Sequence, residues 1–386
     1  MTERTSLLTR DGRALRILYL VTEDWYFCSH RLPIARAARA AGADVLVATR
    51  VEAHRAAIER EGFRLVSLPW RRRTDRPGPE LATLRDITAL YRRERPDIVH
   101  HVALKPSVYG GIAAALTACP VRIAAVAGLG YTEASRSTKA RLLRTGLRTT
   151  LRALWGSTHA IVQNPEDRDA LSRARLVASE RVHLIRGSGV DVTHLVPLPE
   201  PPGRVVAAYA GRLIASKGIR ELAQAARLLR ERGVPVDVWL VGEPDRENPE
   251  AIPEKEVRAW VDSGWLAWHP WTDDIAALWA RAAIAVLPSY REGLPKMLLE
   301  AAACARPVVT CDVPGCREVT VDGVTGRLVP ARDARALADA IESLVPDAAL
   351  RARLGGAGRE RVVQDFSEAR VVADTLSLYR KLAGLA

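Results

Sequence analysis

The sequence predicts an α/β protein of two doubly wound parallel-sheet domains, and three observations carry that expectation. At 386 residues the chain exceeds what one hydrophobic core usually supports. Short β-branched runs alternate with helix-length amphipathic segments, the pattern of strand-helix-strand units. A proline-rich break, HLVPLPEPPGRVV (194–206), separates two such series.

The first series opens with RILYLV (16–21), an Arg/Ala-rich helix after Pro33 and DVLVATR (44–50). It continues through RLVSL (64–68), DIVHHV (97–102), VRIAAVAG (121–128) and HAIVQ (159–163), and HLIRG (183–187) closes it. TEDWYFCSHR (22–31) reads as the loop after the first strand. No G-x-G-x-x-G follows that strand, which disfavours a dinucleotide there. The second series has strands in VVAAYAGRL (205–213), VDVWLVG (236–242), LAWHP (266–270), AIAVLPS (283–289) and PVVTCD (307–312). SEARVVADTLSLYRKLAG (367–384) reads as an amphipathic helix long enough to return to the first domain. The expected limits are 1–192 and 193–366 for the domains and 367–386 for the returning helix. Two such sheets take ligands at the C-terminal ends of their strands, here in an interdomain cleft.

Composition narrows the class. Hydrophobic residues make up 48% and charged residues 26%, ordinary values for a globular protein. The five cysteines show no Cys-x-x-Cys pair and the opening MTERTSLLTRDGR has no apolar core, so a reducing, cytoplasmic setting is expected. Apolar stretches are strand-length, short of the roughly 18 residues of a membrane span. Charge is uneven: residues 1–190 carry 32 Lys+Arg against 18 Asp+Glu, and residues 191–386 carry 25 against 27. A basic half suits nucleic acid, an anionic lipid surface or a phosphorylated acceptor, with Arg-rich codon usage as the neutral explanation. Nucleic acid is disfavoured, because no recognition motif is present and aromatics are only 5%.

The most informative segment is REGLPKMLLEAAA (291–303), read as a helix start with Pro295 near its first turn. Glu292 and Glu300 then stand eight helical steps apart, a rise of about 12 Å, comparable to the span from the sugar of a nucleotide-sugar to its ribose. A carboxylate offers two acceptor oxygens to adjacent hydroxyls, and the backbone amides of Gly293 and Leu294 suit a diphosphate. Spacing alone is equally met by a pair of surface charges.

EGLPKMLLEA, RPVVTCDVPGCREVTVDGVTGRLV (306–329), AGRLIASKGI (210–219), GSGVD (187–191), QNPED (163–167) and the SEARVVADTL tail together resemble family 4 of the retaining GT-B glycosyltransferases, over nearly the whole chain. The resemblance implies a fold of two Rossmann-like domains facing a cleft. It implies that Glu300 holds the donor ribose and Glu292 the transferred sugar. Gly211, Arg212 and Lys217 match the family's diphosphate-binding residues, and Gly242 completes the donor set with Gly293 and Leu294. Two fixed cations stabilise the charge that builds as a nucleoside diphosphate departs, so no metal is required. No cofactor is expected. Asp167-Arg168-Asp169 reads as a polar helix start after Asn164-Pro165, and the histidines lack ligand spacing.

Strand alternation sends one of His100 and His101 into the sheet packing and the other to the opposite face. His101 joins Glu292, Arg212 and Lys217 as a catalytic candidate. The chain departs from the family after the next strand, where AVAGLGY (125–131) replaces a histidine common in relatives. His30, Arg31 and Lys105 are candidates for meeting an acceptor. Between Glu133 and Glu166 no acidic residue occurs, and Arg141, Arg144, Arg148 and Arg152 share a helical face while Leu143, Leu147, Leu151 and Leu154 share another beside Trp155. That pattern suits an anionic membrane surface and equally an ordinary domain helix. Trp70-Arg71-Arg72-Arg73 is a second basic spot.

These features lead to the expectation of a peripheral enzyme on the inner face of the cell membrane. It would transfer a hexose or N-acetylhexosamine from a nucleotide-sugar, a UDP-sugar favoured, to a polyprenyl-diphosphate-linked glycan in surface polysaccharide synthesis. The alternatives are a GT-B nucleotide-sugar epimerase and a non-catalytic sugar-nucleotide-binding scaffold.

Overall fold

The computed structural model describes residues 6–70, 77–126 and 152–385. The chain divides into two compact units, Met1–Ser188 with Ala369–Ala386, and Gly189–Glu368. Residues 189–192, expected in the first domain, fall in the second, because the Val190 amide donates to the Phe366 carbonyl at 3.0 Å and the Glu368 amide to Val190 at 2.9 Å.

The first unit holds a seven-stranded sheet in the order β3-β2-β1-β4-β5-β6-β7. Its strands are β1 (Arg16–Glu23), β2 (Asp44–Arg50), β3 (Arg64–Ser67), β4 (Ile98–Val102), β5 (Val121–Ala125), β6 (His159–Val162) and β7 (Val182–Leu184), every neighbouring pair parallel. A parallel sheet is covered on both faces, and the central strands accordingly read as unbroken apolar runs. One face carries Tyr19, Ile98 and Val102 with Val371, Leu378 and Tyr379 of the C-terminal helix (Glu368–Leu382). The other carries Leu18, Leu20 and Val99 against Ile87 and Tyr91. Residues 22–31, expected as a loop, contain a helix, Asp24–His30. The buried Asp24 carboxylate accepts the amides of Trp25 and Glu52, both at 2.7 Å, and of His54 at 2.9 Å, which fixes this helix against the end of β2.

The second unit holds six parallel strands in the order β10-β9-β8-β11-β12-β13. They are β8 (Val205–Ala210), β9 (Val236–Val241), β10 (Ala267–His269), β11 (Ile284–Leu287), β12 (Val308–Cys311) and β13 (Gly326–Val329). β13 was not expected: GRLV is short and opens on a glycine, a weak strand signal. Gly326 is required there, since a Cβ would stand 2.2 Å from the Val308 carbonyl oxygen of the paired strand. In this order the chain reverses direction across the sheet between β8 and β11. At such a switch point the connections leaving two adjacent strands part and leave a crevice.

Candidate functional site

The crevice of the second unit is built first from glycines. β8 ends at Ala210, and Gly211 follows at φ 153° with its amide on the Val241 carbonyl at 2.9 Å. Gly242, leaving β9 at φ 137°, passes so close that a Cβ would stand 2.0 Å from the Gly211 carbonyl oxygen. Only glycine permits two backbones to cross at that distance. The Arg212 carbonyl accepts the buried Tyr209 hydroxyl at 2.8 Å, and its guanidinium Nη1 donates to Asp245 Oδ2 at 2.9 Å. A turn at Ala215–Lys217 then leads through Gly218 into the helix Ile219–Glu231.

The connection after β11 closes onto that turn. The Ser289 hydroxyl donates to the Ser216 carbonyl at 3.2 Å and to the Arg291 carbonyl at 3.1 Å, and the Tyr290 amide donates to Ser216 at 2.9 Å. This stitching delivers Glu292 to Lys217, whose Nζ bonds Glu292 Oε1. Glu292 was expected on the helix with Glu300. The helix spans Lys296–Ala303 instead, because Pro295 is extended at ψ 112° and the residue before a proline avoids the helical region. Glu292, Gly293 and Leu294 therefore lie on the connection and Glu300 alone on the helix, so eight helical steps do not describe the separation of the carboxylates. Gly315, in the helix Pro314–Val319, supports the connection from behind: a Cβ there would stand 2.4 Å from the Gly293 carbonyl oxygen and 2.7 Å from that of Glu292.

Burial and charge tune these groups. Desolvation raises the Glu300 carboxyl above the usual glutamate range, opposed by Lys296, whose Nζ is 3.6 Å away. Burial, then the Glu292 charge, raises the Tyr209 phenol and the Cys316 thiol. The crevice thus gathers Arg212 with Asp245 and Lys217 with Glu292, groups of the kinds that hold a diphosphate and neighbouring hydroxyls. Among the described residues no group of three His, Cys, Asp or Glu side chains is placed to hold a metal.

In the first unit the structure corrects several assignments. His101, a catalytic candidate, is 1% exposed, with Nε2 3.0 Å from the Tyr91 hydroxyl and its ring against Gly110, where a Cβ would meet it at 2.5 Å. Burial pushes it down to about 3, so it is neutral and enclosed. His100 points the other way, as strand alternation requires, but that face is covered too: Nδ1 lies 2.6 Å from the Tyr379 hydroxyl. Lys105 bonds Glu80 at 2.8 Å and stands 5.7 Å and 5.6 Å from the Trp70 and Tyr109 ring centroids, a contact between secondary elements. Trp70 and Trp155, expected near a membrane, are core residues at 2% and 0% exposure. Arg31 is 4% exposed, with Nη1 on the His30 carbonyl at 2.9 Å, and His30 stacks on Tyr26 at 4.1 Å. Arg141, Arg144, Arg148, Arg71–Arg73 and Gly128–Gly130 lie outside the described residues.

Sequence reasoning missed Asp245, Ser289 and Gly315. Ser289 and Gly315 act through backbone contacts that leave no spacing signal. Asp245 lies in an acidic, polar stretch, GEPDRENPE (242–250), that resembles any surface loop.

Residues 204–347 match the family of glycosyl transferases group 1, and residues 16–163 match the glycosyl transferase 4-like family. With the two parallel-sheet units, these matches define the class: an enzyme that transfers glycosyl groups, of the GT-B fold. CapM of Staphylococcus aureus, a capsular polysaccharide biosynthesis glycosyltransferase, is 27% identical over 312 residues, 78% of this chain and 80% of CapM. The N,N'-diacetylbacillosaminyl-diphospho-undecaprenol alpha-1,3-N-acetylgalactosaminyltransferase of Campylobacter jejuni is 23% identical over 365 residues, 91% of this chain and 95% of that enzyme. Anabaena HepE, solved in complex with UDP and glucose, shares the fold at a TM-score of 0.74 and 18% identity, covering 94% of this chain and 100% of HepE. The chain belongs to the glycosyltransferases that join a 4-like domain to a group 1 domain.

Proposed function

We propose that the enzyme transfers a hexose or N-acetylhexosamine, with retention and without a metal, from a UDP-sugar to a lipid-linked, polyprenyl-diphosphate glycan in surface polysaccharide synthesis. The observation that carries this reading is the pairing of Arg212 and Lys217 with carboxylates at the switch point of the second sheet. The pairs keep both cations ordered at the switch point, which favours a reading in which they meet the charge that develops on a leaving diphosphate. The bond from the anomeric carbon to the diphosphate oxygen breaks, a bond to the acceptor hydroxyl oxygen forms on the same face, and the hydroxyl proton passes to the departing phosphate oxygen. No covalent nucleophile of the kind glycosidases use is needed. Glu292 accepts hydroxyls of the sugar and Glu300 those of the ribose.

The relatives support substrate class. CapM is named for capsular polysaccharide biosynthesis, and the Campylobacter enzyme for an undecaprenol-diphosphate acceptor. HepE, of the same fold, binds UDP and glucose. Among the described residues no helix is long and apolar enough to cross a membrane, and peripheral attachment through the basic run Arg141–Arg152 is supported by sequence.

The test is incubation of the purified protein, with chelator, with UDP-, GDP-, dTDP- and ADP-sugars, with and without membrane-lipid extract, measuring nucleoside diphosphate release. Release from a UDP-sugar only in the presence of lipid supports the proposal. Interconversion of the sugar without lipid makes the enzyme an epimerase, and binding without either reaction makes it a scaffold.

A further inference from the structure

The loop after β9, residues 243–252, touches the Arg212–Lys217 segment along its length. The Leu213 amide donates to the Glu243 carbonyl at 3.0 Å, the Ala215 amide to Glu250 at 2.7 Å and the Ile252 amide to Leu213 at 2.9 Å, with Ile214 and Ala251 bridged antiparallel. The loop is itself fixed. The Asn248 amide donates to the Asp245 carbonyl at 2.8 Å, and the Asn248 side-chain oxygen accepts the Glu250 amide at 2.9 Å. From this loop the Asp245 carboxylate reaches the Arg212 side chain, accepting from Nη1 at 2.9 Å. The Asp245 carboxylate is 11% exposed and the Arg212 side chain 46% exposed, so the anchored partner is the acid and the reaching partner is the base.

We infer that Asp245 is a positioning residue for transfer: it holds the Arg212 guanidinium at the end of β8 in the orientation in which it receives the leaving diphosphate. This rests on the transferase reading above. An arginine side chain on an exposed strand end samples many rotamers, and ordering it as charge develops raises the barrier. A carboxylate anchored in a hydrogen-bonded loop removes that cost beforehand. A guanidinium carries N–H donors on more than one edge, so it keeps Asp245 on Nη1 while it takes phosphate oxygens with other donors. Asp245 also withdraws positive charge from the crevice, which keeps the diphosphate product from binding too tightly to leave. The two effects predict a particular signature: losing Asp245 lowers turnover without weakening the diphosphate.

The experiment is a double-mutant cycle on the full-length enzyme with Asp245→Asn, Arg212→Ala and the pair. Turnover of the UDP-sugar that the wild type accepts, UDP binding by calorimetry and the thermal midpoint are measured for each. Asp245→Asn is expected to lower kcat about tenfold, to leave UDP binding equal or tighter, and to have no further effect on kcat in the Arg212→Ala background. Asp245→Glu, which keeps the charge, is expected to recover part of kcat. An equal loss of kcat in both backgrounds, or a loss that follows a lower thermal midpoint, shows that Asp245 only folds its loop and overturns the inference. A wild type that binds UDP but turns over no UDP-sugar overturns the transferase reading instead. The binding cycle then decides Asp245, because Arg212→Ala and the double variant must bind UDP alike.

Discussion

Lys217 and Glu292 stand 75 positions apart in the chain and are bonded Nζ to Oε1, the first at the end of the turn after β8 and the second on the connection after β11. A diphosphate that comes to Lys217 competes with the Glu292 carboxylate. Once it wins, Glu292 is released beside the sugar it is proposed to hold. On the proposed assignments, recognition of the two halves of the donor is linked through this ion pair.

That linkage separates the two residues experimentally. Lys217→Ala is expected to weaken UDP and to lower turnover by roughly a hundredfold or more, as loss of a transition-state cation does. Glu292→Gln is expected to bind UDP as well as the wild type or better, since the competing charge is gone, while turnover falls by a similar factor. Calorimetry with UDP beside steady-state kinetics distinguishes them. Parallel losses of binding in both variants contradict the exchange.

Glu300 carries a cost to stability. Its carboxyl is raised by burial, with Lys296 only partly offsetting it. As pH rises past the ordinary value of 4.5, the unfolded chain ionises first and the folded state loses ground until the raised folded pKa is passed. The deficit then persists at neutral pH. Glu300→Gln is therefore expected to raise the thermal midpoint at pH 7, with the gain disappearing below about 4.5, and to weaken donor nucleotide binding about tenfold. A more stable protein that binds less well is the mark of a residue kept for function. A variant that loses stability at pH 7 refutes this account.

Gly315→Ala tests the support behind Glu292. The added carbon meets two carbonyl oxygens of the connection at 2.4 Å and 2.7 Å, and backbone on one side or the other must move. A displacement near 1 Å at a reacting group costs roughly a hundredfold in rate. Turnover is expected to fall by about that factor with the circular dichroism of the fold retained. Unchanged kinetics would mean that the helix Pro314–Val319 yields and the connection does not.

Much of this was legible in the sequence, for identifiable reasons. The strand runs were visible because a doubly covered parallel sheet needs unbroken apolar segments, and the segments that bring Lys217 and Glu292 together because each follows such a run at the end of a strand. Placing both glutamates on one helix failed at Pro295, whose effect on the residue before it outweighed the helical periodicity of the following segment. The two histidines of β4 were correctly sent to opposite faces, but alternation along one strand carries no information on what covers each face. Tyr91 and Tyr379 do so, from helices separated from β4 by very different lengths of chain. Trp155 and the leucines near it fit a membrane helix and a domain helix equally on paper. Burial decides for Trp155, which packs with Ala124, Ala160 and Val162.

The C-terminal helix is tied into the first sheet through the Tyr379 hydroxyl, which its own variant can expose. Tyr19 and His100 are partners in register on β1 and β4 and stack at 5.3 Å, and the Tyr379 hydroxyl reaches both, 3.0 Å from the Tyr19 hydroxyl and 2.6 Å from His100 Nδ1. All three side chains are at most 1% exposed, so a hydroxyl removed there is replaced by nothing. Tyr379→Phe is expected to cost about 1–3 kcal/mol, with roughly 2–4 °C of thermal midpoint for each kcal/mol in a domain of this size. The same burial holds His100 well below its ordinary 6.5 and His101 at about 3. As pH falls below 6.5 the unfolded chain takes up these protons first, so the stability they contribute is complete above that value and drains away toward the folded pKa values. Denaturant titrations of the wild type are expected to show that acid loss from about pH 6.5 downward, and His101→Gln is expected to flatten it. An acid profile unchanged in His101→Gln would assign the loss to other groups and leave the histidine pair without a part in it.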